Sequence, residues 1–180
     1  MSETFTYDDL WGLCEACVNE QVQAFIAISG YCWLKPSEVL NLSFRDVADG
    51  VLSHGDNVAI LPPAVRSKIH TLQIGRGLDS LIFQSFQYKK ARPISSSFVR
   101  KKIANAKAAA GFTKDVHPET FRKLYGRAQC EGLEGEELFE ALKRLNELYR
   151  NDRLPALAAY LGVSYSRPRG RPITKVASGN

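Results

Sequence analysis

Six residues near the end of the chain, Arg167-Pro168-Arg169-Gly170-Arg171-Pro172, set three guanidinium groups on a narrow spine. Proline fixes φ and lacks a backbone donor, and glycine has no side chain, so this stretch can neither continue a helix nor pack as a strand. It reads as an extended, solvated segment whose chemistry is charge and slimness. Arg167, Arg169 and Arg171 suit the narrow, strongly negative minor groove of A·T-rich DNA, with Gly170 letting the backbone approach the groove floor. Cys14-x-x-Cys17 has the spacing of half a zinc site, but it lies in an apolar helical pattern without a second pair or a nearby histidine. Core cysteines are expected there, and neither a metal nor a cofactor is assigned. His54, His70 and His117 show no i,i+4 or triad spacing and read as turn, surface or fold-stabilising residues.

The tail resembles the AT-hook, a short minor-groove binder whose core is Arg-Gly-Arg flanked by prolines, here Arg169-Gly170-Arg171 between Pro168 and Pro172. That resemblance implies double-stranded DNA as partner, with an A·T-rich minor groove. The charge distribution agrees. The 180-residue chain has a formal net charge of +5, but residues 1–50 hold two basic and eight acidic residues while residues 86–127 hold eleven basic and two acidic. A surface of one sign raises the local concentration of an anionic polymer. Arg100, Lys101, Lys102 and Lys107 fall within the basic segment and are candidate phosphate contacts.

The apolar content, 44%, is that of a globular protein with a real core. No apolar run is long enough to cross a bilayer, and the opening "MSETFTYDDL" is acidic where a signal peptide would be basic. A cytoplasmic, nucleoid-associated protein without a membrane partner is expected. Four cysteines are too few for a disulfide scaffold of this length.

The elements that must carry these groups follow from periodicity and punctuation. Residues 7–31 have helical apolar spacing, as one long or two short helices, and "PSEVLNLSFRDV" restarts with proline in a first turn. From Val51 to Ile74, β-branched residues with turn signals at 54–57 and at Pro62-Pro63 suit a small antiparallel sheet. Helices return at "SSSFVRKKIANAKAAAG", at 118–130, at 134–150 with acids leading and bases trailing, and at "LPALAAYLG". The fold class is α+β, mainly helical, with a domain at 1–165 and a flexible basic tail at 166–180.

"AISGYCWLKPSEVLNLSFRDV", residues 27–47, resembles the opening signature of the tyrosine recombinase (phage integrase) catalytic domain, with Gly30, Glu38, Leu40, Leu42, Phe44 and Asp46 fitting the pattern. The family's first catalytic arginine falls on Lys35. "HPETFRKLYGRA" is similar to the family's His-x-Leu-Arg-His box, with Arg122 at the arginine and Glu119 and Lys123 at the two histidines. The family also carries a lysine in a turn of its small sheet, for which Lys68 is the candidate. "YLGVSYSRPRGRP" supplies the Leu-Gly of the last box at Leu161 and Gly162, Val163 replaces the family's His or Trp, and the tyrosine nucleophile position lands near Pro172. About six residues precede the first helix, so the family's N-terminal clamp domain is expected to be absent.

Strand transfer by this family needs a tyrosine nucleophile, two arginines that neutralise charge on the phosphate, and proton donors. Lysine at 35 keeps the charge but loses the planar fork. The expectation is therefore a non-catalytic DNA-binding protein, a transcriptional regulator or accessory factor of a bacterial chromosome, plasmid or phage. Lys35, Lys68, Arg122 and Lys123 should cluster around a phosphate. Two other classes stand beside it: an active recombinase with a displaced tyrosine at Tyr160 or Tyr165, and a protein-interaction adaptor using the acidic 131–147 helix. Homo-oligomerisation is left open.

Overall fold

The computed structural model describes residues 4–85, 91–149 and 153–166. The chain divides into two compact units, Met1–Ala128 and Gln129–Asn180.

In the first unit, α1 (Tyr7–Ala16) and α2 (Glu20–Ser29) are two helices separated by a break at 17–19. The break has a local cause, since the Asn19 side chain caps α2 by accepting from Val22 N at 3.0 Å. Thr6 and Asp9 form a reciprocal capping box at the start of α1. α2 is the central element. Val22 and every residue from Ala24 to Ser29 are buried, and the helix packs against α1, α3 (Pro36–Leu40), α4 (Pro63–Gln73), α5 (Ser96–Ala109) and α6 (Pro118–Ala128). A helix apolar all round must be wrapped on all sides, which is what the surrounding five provide.

At Gly30, the C-cap of α2, nothing larger fits: a Cβ there would stand 2.5 Å from Cδ1 of Leu10, itself fully buried. Gly30→Ala is expected to destabilise the first unit by about 1–3 kcal/mol through this overpacking, seen as a fall in thermal midpoint. Leu10→Ala in the same chain should give back part of the loss, and a Gly30→Ala midpoint equal to wild type would refute the packing argument.

The sheet is smaller than the sequence pattern suggests. Strands β1 (Val47–Ala48), β2 (Val51–His54) and β3 (Asn57–Ile60) pair antiparallel in that order, with Leu52 opposite Ala59 facing the core. Residues 63–73, expected to continue the sheet, are instead helix α4. Pro63 occupies its first turn, where a missing N–H costs nothing, and Val65 and Ile69 bury one stripe at i,i+4 spacing. Lys68 therefore sits on a helix, and the β2–β3 turn contains Gly55 and Asp56 rather than a lysine. A second pair, β4 (Gln84–Ser85) with β5 (Arg92–Pro93), precedes α5. Arg76 holds the connection between α4 and β4, donating to the carbonyls of Leu72, Leu81 and Ile82 and lying 4.8 Å from the Phe44 ring centroid.

The second unit contains α7 (Gly135–Tyr149) and α8 (Leu154–Leu161), which pack on one another. Leu138, Leu142 and Leu145 of α7 are buried, and so are Leu157, Ala158 and Leu161 of α8. Gly162 caps α8 at φ 71°, a left-handed conformation that favours glycine. The mainly helical architecture with a small antiparallel sheet is the one the sequence indicates.

Candidate nucleic-acid interface

Lys35 stands at the start of α3 with its side chain exposed. The helix begins there because Pro36 is pre-set for a first turn and the Glu38 carboxylate accepts from Lys35 N at 2.6 Å. The glutamate three residues on is thus a structural partner of position 35. Asp46 plays the same part after Ser43, accepting from its amide at 2.7 Å and its hydroxyl at 2.6 Å. Burial opposes the charge on Asp46, but these two donors and His54 at 3.3 Å outweigh it and hold the carboxyl below its ordinary value.

Helix α5 starts where the Ser95 hydroxyl accepts from Phe98 N at 3.2 Å. Val99, Ile103 and Ala106 turn inward at i, i+4 and i+7, which leaves Arg100 and Lys101 exposed and Lys102 and Lys107 half-buried. Lys102 Nζ lies 5.5 Å from the Phe98 ring centroid. Lys35 and Arg100 then meet across an open groove of about 520 Å³, whose other polar walls are Ser37, Ser96, His117 and Glu119.

Arg122 does not line this groove, but its partner Glu119 does. The arginine side chain is 3% exposed, its Nη2 is 2.8 Å from Glu119 Oε2, and its guanidinium carbon stands 5.2 Å from the Trp33 ring centroid. Lys123, the next residue, lines a second open groove of about 650 Å³ together with Lys114, Arg127, Thr120 and His117. His117 belongs to both grooves. Its amide donates to Thr120 Oγ1 at 3.2 Å, and the same hydroxyl is 3.1 Å from Nδ1, which fixes the imidazole over the start of α6.

Lys68 lines neither groove. Its Nζ donates to Gln23 Oε1 at 2.9 Å, and it lies beside the Cys14 thiol. Burial pushes that thiol up to about 11, with Lys68 opposing the rise, so Cys14 is a protonated core residue at neutral pH. Of the four cations expected to cluster, Lys35 and Lys123 occupy adjoining grooves, Arg122 is packed inside, and Lys68 is turned toward α2. Lys114 and His117 are additions that sequence reasoning did not assign. The only signal for His117 is its position two residues ahead of Glu119 in the arginine box.

In the second unit Leu161 is buried, and Val163 N donates to Ala158 O at 3.0 Å, so the Leu-Gly of the last box forms a helix cap. Tyr160 and Tyr165 are half-buried. Arg167, Arg169, Gly170, Arg171 and Pro172 lie outside the described residues. Among the described residues no group of His, Cys, Asp or Glu could hold a metal ion, and no helix is long and apolar enough to cross a membrane.

No protein-family model and no curated protein sequence matches the chain. Solved structures do. XerA recombinase matches with a TM-score of 0.68 at 15% identity, covering 91% of this chain and 60% of that one. A lambda integrase dimer bound to a COC′ core site matches with a TM-score of 0.61 at 14% identity, covering 92% of this chain and 50% of that one. The lambda integrase(75-356) dimer on the same core site gives 0.56 at 12% identity, over 86% of this chain and 59% of that one. The fold is that of tyrosine recombinase catalytic domains, and the chain spans between half and three-fifths of the length of these proteins.

Proposed function

We propose that this chain is a double-stranded DNA-binding protein that does not cut or rejoin strands, acting as a transcriptional regulator or accessory DNA-binding factor. The observation that carries the reading is the Arg122–Glu119 pair. In a strand-transfer site the box arginine must offer its fork to a phosphate; here the guanidinium is buried, its Nη2 is 2.8 Å from a carboxylate, and Glu119 stands where the family has a proton-donating histidine. Lysine at 35 brings charge without bidentate geometry. Binding needs only donors and charge, which Lys35, Arg100, Lys101, Lys102, Lys107 and Lys123 supply at or near the surface. The fold it shares with recombinases, one of them bound to a core site, supports DNA as the partner.

Purified protein is expected to retard duplex DNA at low salt and to leave supercoiled plasmid neither nicked nor relaxed. A phosphotyrosyl adduct trapped on a nicked suicide duplex, abolished by Tyr160→Phe or Tyr165→Phe, would replace this reading with that of an active recombinase.

A further inference from the structure

We infer that the free edge of β3 is a self-association surface, on which a second copy of this chain lays its own β3 antiparallel, so that two three-stranded sheets join into one of six strands. Pairing of this kind goes beyond the DNA-binding reading and is independent of it. The strand order is β1-β2-β3, and among the described residues no strand pairs with the outer side of β3. The register shows which polar groups lie there. Gly55 and Asp56 form a two-residue turn closed by His54 opposite Asn57, and residues that close such a turn exchange hydrogen bonds. Alternation then directs the N–H and C=O of Asn57 and Ala59 toward β2, and Leu61 continues the series by donating its N–H to Gly50 O at 2.8 Å. The N–H and C=O of Val58 and Ile60 are left pointing away from the sheet.

The side chains agree with the backbone. Val58 is 58% exposed and Ile60 is 82% exposed, and opposite them on the same face of β2 lie Ser53 and Val51. That face carries no charge, and β3, Asn57-Val58-Ala59-Ile60, has no lysine, inward charge or bulge of the kind that keeps edge strands apart. The occupant follows from the register. Opposed residues of an antiparallel pair share a face of the sheet, so Val58 and Ile60 must meet their own kind. A two-fold axis at Ala59 sets Val58 opposite the partner's Ile60 and Ile60 opposite the partner's Val58, and each opposed pair exchanges two hydrogen bonds. An axis at Ile60 would instead oppose Val58 to a proline at 62, which has no N–H, and an axis at Val58 would oppose Ile60 to Asp56 of the turn. The axis at Ala59 therefore satisfies every donor and acceptor of the edge, and alanine is small enough for two strands to approach there. Both edges are used up in the pairing, so association stops at two copies. Four residues from each copy make an interface of the small class, under about 1,200 Å², so the dimer exchanges with monomer.

The test uses the full chain. Val58→Cys and Ile60→Cys are changes at exposed positions, and the four native cysteines are buried. In an equimolar mixture of the two variants, one carrying a tag that shifts its mass, glutathione disulfide should join position 58 to position 60 at least fivefold faster than it forms either like pair. Opposed Cα atoms about 5.5 Å apart are within reach of a disulfide. Chance encounter alone favours the mixed pair only twofold. Ile74→Cys, which is 72% exposed and outside the sheet, should couple to itself no faster than the like pairs do. A second readout needs no added cysteine. Sedimentation of the wild-type chain from micromolar to millimolar concentration should show a mean mass that rises with concentration, and Ile60→Lys, which places a charge on the edge, should stay monomeric with an unchanged thermal midpoint.

Mixed and like pairs that form in the twofold ratio of chance overturn the pairing. So does a wild-type chain that is monomeric at every concentration. A dimer that persists in Ile60→Lys places association on another surface and overturns it equally. A monomer whose Val58 and Ile60 amides are nonetheless protected from hydrogen exchange would mean that a segment of the same chain covers the edge, against the inference. All of these outcomes leave the DNA reading standing, since retardation of duplex DNA is measured separately.

Discussion

Arg122→Ala is expected to lower the stability of the first unit by about 2–4 kcal/mol while changing DNA affinity less than twofold. The side chain is 3% exposed, and its removal deletes an ion pair at 2.8 Å and a guanidinium–indole contact with Trp33, a residue 2% exposed. A desolvated cation–π contact contributes up to about 2 kcal/mol, and breaking a buried pair leaves a void and a carboxylate without its partner. Glu119 is 39% exposed and can be rehydrated, which keeps the cost below that of a fully buried pair. The thermal midpoint should fall by roughly 5–15 °C. Arg122→Lys should recover part of this, since it keeps charge and stem but not the planar group that lies beside Trp33. The reverse pattern, an unchanged midpoint with a tenfold loss of affinity, would make Arg122 a phosphate ligand and undo the argument against catalysis.

The family resemblance and this structural role were legible to different degrees. The motif singled out Lys35, Glu38, Asp46 and Arg122, and the structure gives several of its members local reasons. Glu38 and Asp46 are capping carboxylates three residues after the amides they hold, and Gly162 is a left-handed helix cap. Such features depend on short-range chemistry, so a sequence displays them. Helices α5, α7 and α8 were readable for the same reason, each having a stripe and a start or stop signal.

What spacing does not display is the direction in which a long side chain packs. Arg122 and Lys123 are neighbours, yet one is buried and the other lines a groove, because successive helix positions are about 100° apart. The Glu119–Arg122 spacing of i,i+3 was a readable sign that the arginine had an internal partner. The misassigned stretch 63–73 failed for a comparable reason. Val65, Ile69 and Thr71 have strand-like composition, and Pro62-Pro63 marks either a turn or a helix start; only the i,i+4 burial of Val65 and Ile69 separates the two. Placing this segment as a helix moved Lys68 away from the site.

Replacing Arg169 and Arg171 together by alanine is expected to cost about 2–4 kcal/mol of DNA affinity, taking roughly 1–2 kcal/mol for each arginine inserted in a groove. The basic residues of the first unit would supply phosphate contacts, which position the protein and respond to salt but read no sequence. The tail would add what they lack, a preference for the narrow A·T minor groove, where width and potential are the signal. Loss of two charges alone weakens binding to any duplex, so total affinity is not the decisive measurement. The decisive one is the difference between A·T-flanked and G·C-flanked sites, which should shrink in the double variant. Netropsin, which occupies the A·T minor groove, should compete with wild type more than with the variant. Deleting residues 166–180 should leave the thermal midpoint nearly unchanged, because a segment rich in Pro, Gly and Arg has little apolar surface to bury. If that truncated chain binds both flanks with wild-type affinities, the arginines of the tail are a solvated terminus and the A·T preference must be given up.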